Sequence, residues 1–143
     1  MSTHMKPPTS FWVIAFIALI WNLMGVFQFF SATLFLEMVV AALPKEQADL
    51  YTGMPIWYLV IFGVAVFTGL IGSITMLLKK KITVGIFGIS LLAVLVAQGY
   101  WLLGTEIITI LGMTAVIMPL VVIALSIFLY FYSKGAARNS WIS

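Results

Sequence analysis

Few side chains in this sequence could do specific chemistry, and the richest group is Trp21, Asn22 and Gln28. All three lie in one apolar run, residues 11–43, that contains no lysine or arginine. At about 100° per residue, Trp21, Gly25, Gln28 and Ala32 share a helix face, and Asn22 borders it. An indole, two amides and a glycine on one surface could bind an uncharged polar solute by stacking and hydrogen bonding. The same set could instead hydrogen-bond one helix to another across a bundle, a contact worth about 0.6 kcal/mol on average. Gln98, in a later apolar run, is the fourth candidate. It lies nearer the level of Gln28 than of Asn22, so Gln28 with Gln98 is the expected amide pair. None of these groups ionises near neutral pH, so the chemistry they imply is recognition.

Glu37 is the carboxyl group of that first run, and a carboxylate within hydrocarbon would point to proton or cation coupling. A span beginning near Phe11 crosses about 30 Å in roughly 20 residues and ends near Ala32. Glu37 then falls in the far interface; a span beginning near Ala18 would bury it. Other signals mostly exclude. The chain has no cysteine and a single histidine, His4, in a polar N-terminal stretch. That leaves no metal or haem ligand set, no thiol couple and no Ser–His–Asp arrangement. A glycine-rich phosphate loop is also absent. The expectation is a protein that is not an enzyme and needs no cofactor.

Composition dictates what must position these residues. Of 143 residues 64% are hydrophobic and 8% charged, where a soluble domain has about 25% charged. The bilayer is the only solvent that suits such a chain. Four spans are expected, at about 11–34, 56–78, 82–103 and 107–132, in one domain covering residues 1–143. The outer loop 44–55 carries Pro44, Glu46 and Gly53, which suit the start, first turn and end of a short surface helix. Stripes of small residues mark the later spans: Ala65, Gly69 and Ser73; Ser90, Ala93 and Ala97; Gly112, Ala115 and Ser126. Such stripes let helices approach closely in lipid, within a bundle or between copies. Pro119 is expected to kink the fourth span near Ala115.

Charge orients the expected bundle. Lys6, Lys79, Lys80, Lys81, Lys134 and Arg138 share one side if four spans are crossed, opposite Lys45, Glu46, Asp49 and Glu106. The positive-inside rule puts both termini in the cytoplasm. The fold class is therefore all-α, an integral membrane four-helix antiparallel bundle, N-in and C-in. The net charge of +3 sits at membrane edges and gives no nucleic-acid signal. The expected partners are the lipid bilayer and either a second copy or another membrane protein.

Trp21-Asn22-x-x-Gly25, Pro55-x-Trp57, Gly69 and Gly72 running into Leu77-Leu78-Lys79-Lys80, and Phe87-x-x-Ser90-Leu91 form a recurrent pattern. Over most of the chain it resembles a group of small four-span bacterial inner-membrane proteins that carry the label "sugar transporter". The resemblance implies a bacterial inner-membrane location, and it implies no established substrate or mechanism. Two functions are expected to compete. One is binding or transport of a small uncharged polar solute by an oligomer, with Trp21, Asn22, Gln28 and Gln98 as the ligand site. The other is a non-transporting accessory or structural subunit of a membrane complex.

Overall fold

Four helices in the computed structural model are long and apolar enough to cross a membrane. The structure describes residues 6–105 and 107–143, so His4 and Glu106 lie outside the described residues. The first crossing helix is α1, Thr9–Ala32. Two short helices follow, α2 (Leu36–Ala41) and α3 (Lys45–Thr52). The second crossing helix is α4, Ile56–Leu77, and the third is α5, Thr83–Gly99. A π turn, Tyr100–Gly104, extends α5, and the short α6 spans Ile107–Leu111. A 3-10 turn, Met113–Val116, leads into α7, Ile117–Arg138. Every regular element among the described residues is helical.

The helix ends have distinct local features. At the end of α1 the Thr33 hydroxyl donates to the Phe29 carbonyl at 2.9 Å and Ser31 donates to Phe27 at 3.0 Å. The chain turns at residues 33–35 before resuming as α2. Pro44 precedes α3 and Gly53 follows it. Gly112, at φ 83° and ψ −176°, separates α6 from the 3-10 turn.

Pro119, expected to kink the fourth span near Ala115, follows a 3-10 turn that contains Ala115. Pro119 is the third residue of α7, and its missing N–H leaves the carbonyl of Ala115, in the preceding 3-10 turn, without that helical donor. Gly112 separates α6 from the fourth crossing helix, which runs Met113–Arg138 and begins with the 3-10 turn.

Packing follows the small residues. Helix α1 packs on α4, α4 on α5 and α5 on α7. A core of Phe11, Ala15, Ala18, Met76, Phe87, Leu129, Ala136 and Ile142 gathers all four crossing helices at the lysine-bearing end. Toward the other end a second core, Ala65, Ala93 and Val94 with Ile61, Val122 and Ile123 around it, contains no residue of α1.

The segment after α7 folds back. The N–H of Lys81 donates to the Ser143 carbonyl and the N–H of Ser143 donates to that of Lys79, both at 3.0 Å. Ile142 is buried beneath this pairing. Two left-handed residues make the geometry possible, Lys79 at φ 60° and Ser140 at φ 62°. After each helix a paired set of bonds completes a Schellman cap: Lys80 N–H to Thr75 and Lys79 N–H to Met76, then Trp141 N–H to Ala136 and Ser140 N–H to Ala137.

Candidate functional site

Asn22 is placed by the apolar stripe on either side of it. Phe11, Ala15 and Ala18 are buried toward the other helices, and Asn22, four residues beyond Ala18, continues that face. Its amide nitrogen donates to the Ala18 carbonyl at 2.8 Å and to the Ser73 hydroxyl of α4 at 3.0 Å. The Ser73 hydroxyl in turn donates to the Gly69 carbonyl at 2.9 Å. From the other side of α4, the Ser90 hydroxyl of α5 donates to the Ala65 carbonyl at 2.8 Å. One turn nearer the lysines, Thr75 and Thr83 share a hydrogen bond of 2.7 Å. A polar seam thus runs along α4, flanked by hydroxyls and one amide.

Beside this seam lies a cavity of about 20 Å³, where Trp21, Asn22, Gly69, Ser90 and Ser126 meet Phe87 and Leu129. A single water needs about 10–15 Å³ and two to four polar partners. The cavity therefore suits one water and is far below the 300–1,000 Å³ or so of a small-molecule site.

Trp21 and Asn22 are the sequence-predicted site residues that the fold brings together. Gln28 is exposed and Gln98 half-buried. Neither forms a side-chain hydrogen bond among the described residues. The expected Gln28–Gln98 pair does not form, because their helices α1 and α5 each pack on α4. Glu37 is exposed in the first turn of α2, past the break that ends α1. There a carboxylate complements the positive end of the helix dipole.

A second concavity, not foreseen from sequence, opens at the end opposite the lysines. It measures about 600 Å³ and is lined by Glu46 and Asp49 of α3, Tyr100 and Thr105 beside the π turn, and Thr109 of α6. Tyr58 is buried behind it, 5.1 Å from the Tyr100 ring and 6.4 Å from the stacked Trp101 ring. Trp57 adds an edge contact to Tyr100 at 4.8 Å, and Tyr51 reaches Trp101 at 6.2 Å. Tyr100 and Trp101, adjacent in the π turn, both meet Tyr58. Glu46 and Asp49, three apart on a short helix, were the one sequence signal for this cleft. Among the described residues no group of three metal-ligating side chains occurs.

No family model, no curated protein and no solved structure matches this chain.

Proposed function

We propose that this protein is a non-transporting accessory subunit of a membrane complex, acting by lateral association with another membrane-spanning helix. The observation carrying this reading is that the polar interior beside Asn22 has room for one water, about 20 Å³. The amide once expected to meet a solute already serves Ser73 and Ala18. Gln28 supports the same reading from outside, since it lies exposed on α1. An amide facing hydrocarbon loses its hydrogen bonds to water, which favours a partner that restores them. A second copy or another subunit could supply it. In this reading the chain is an antiparallel four-helix bundle of a bacterial inner membrane, lysine-rich end and both termini in the cytoplasm, with no nucleic-acid role.

The test is native mass measurement of the protein released with its surrounding lipid. The expected outcome is a defined complex, reduced to the single chain by Gln28→Leu, while purified protein in liposomes passes no neutral solute. Solute flux from pure protein, or a wild type that is always a single chain, overturns the reading.

The cleft favours a second reading, in which the protein binds a polar solute. Its volume of about 600 Å³ falls within the range of small-molecule sites. Glu46 and Asp49 would accept hydrogen bonds from hydroxyl or amine groups there. Equilibrium binding to wild type, lost in Asp49→Ala, would favour this reading over the first.

A further inference from the structure

We propose that residues 140–143 are a releasable clasp, which holds α1 against α7 and thereby seals the Asn22 cavity. Three relationships carry this. First, the clasp is tied to the turn after α4 by reciprocal main-chain bonds between Ser143 and residues 79 and 81, both 3.0 Å. Second, it reaches both helices that end the row. The Trp141 ring lies 6.1 Å from Phe11 of α1 and 6.4 Å from Tyr132 of α7. Ile142, 1% exposed, sits in the core that joins α1 to Ala136 of α7.

Third, α1 takes no part in the core at the far end of the bundle. The junction of α1 with α7 therefore depends on the end that the clasp covers. The cavity lies at that same junction, with Trp21 and Asn22 contributed by α1 and Ser126 by α7. Phe87 and Leu129 belong both to the cavity wall and to the core containing Ile142. Release of the clasp loosens those two residues and lets water reach the polar seam from the lysine-bearing end. Backbone pairing of so short a segment is local, so it can open without unfolding the crossing helices.

The chain contains no cysteine, so a single Ser126→Cys substitution reports access to the cavity without background. The full-length protein is reconstituted in liposomes and labelled with a small charged methanethiosulfonate. Amide exchange at Lys81 is followed in parallel as the measure of clasp opening. With the clasp intact, labelling is slow; adding Ile142→Asp raises Lys81 exchange and speeds labelling at least tenfold. If Ile142→Asp does not fold, Ile142→Ala is used, with a smaller rise of about threefold expected. Faster Lys81 exchange without faster labelling shows that the segment opens but seals nothing, which overturns the proposal. Unchanged exchange and unchanged labelling in a folded variant overturn it as well.

Discussion

The side-chain carbonyl oxygen of Asn22 occupies the space that a Cβ on residue 69 would need, so the Asn22 side chain requires glycine at position 69. The amide cannot simply swing aside. Its nitrogen is held by Ala18 and Ser73, and the Ser90 hydroxyl closes the other flank at 3.4 Å from the same Cβ position. Gly69→Ala should therefore destabilise the bundle by about 1–3 kcal/mol, the usual range for overpacking. Unfolding in mixed detergent micelles measures this. Adding Asn22→Ala should recover most of the loss; no recovery would mean that another contact excludes the methyl group.

The bond between Asn22 and Ser73 makes a separate prediction. In a double-mutant cycle with Asn22→Ala and Ser73→Ala, the coupling should be about 0.6 kcal/mol and no more than about 1.7, as for other hydrogen bonds between membrane helices. Strict additivity of the two substitutions would argue against the bond. The modest size follows from competition, because each partner also bonds within its own helix, to Ala18 and to Gly69.

The four crossing helices were legible because apolar runs of roughly 20 residues have few other uses. So was α3, whose limits Pro44 and Gly53 announce. The site was only half legible, and helix geometry says why. Six residues separate Asn22 from Gln28, which at about 100° per residue leaves them about 120° apart. Once Ala15 and Ala18 turn Asn22 toward α4, Gln28 cannot also face inward. Periodicity alone places both near one face without fixing how the helix is rotated. The cleft of Glu46, Asp49, Tyr100 and Thr109 was hidden for a different reason. It joins residues far apart in sequence, and part of its wall is a π turn that no local pattern signals.

The break that precedes the fourth crossing helix can be assigned by two substitutions. Gly112 lies at φ 83° and ψ −176°, a region essentially reserved for glycine and costing a side chain about 1–3 kcal/mol. Its Cβ would meet no atom within 4 Å, so any penalty for Gly112→Ala comes from the backbone alone. If Gly112 sets the break, and not the missing N–H of residue 119, Pro119→Ala should change stability by less than about 1 kcal/mol. The same unfolding measurement ranks the pair. A larger loss at Pro119 than at Gly112 would restore proline as the cause of the break.

Lys79 offers the reverse case, a position where the native residue is the strained one. It adopts φ 60° as the residue after the helix cap of α4, a site usually taken by glycine because it lacks a Cβ. A left-handed conformation costs other residues about 1–2 kcal/mol. Lys79→Gly removes that cost but gives the unfolded chain more freedom, which offsets part of the gain. The net expectation is a stabilisation of about 0.5–1 kcal/mol, visible as a higher unfolding midpoint. Lys79→Asn should recover part of the gain, since asparagine tolerates this conformation better than lysine. Removing the charge alone, with Lys79→Gln, should bring no such increase. If glutamine stabilises as much as glycine, repulsion among Lys79, Lys80 and Lys81 is the cause, and backbone strain at this turn is not.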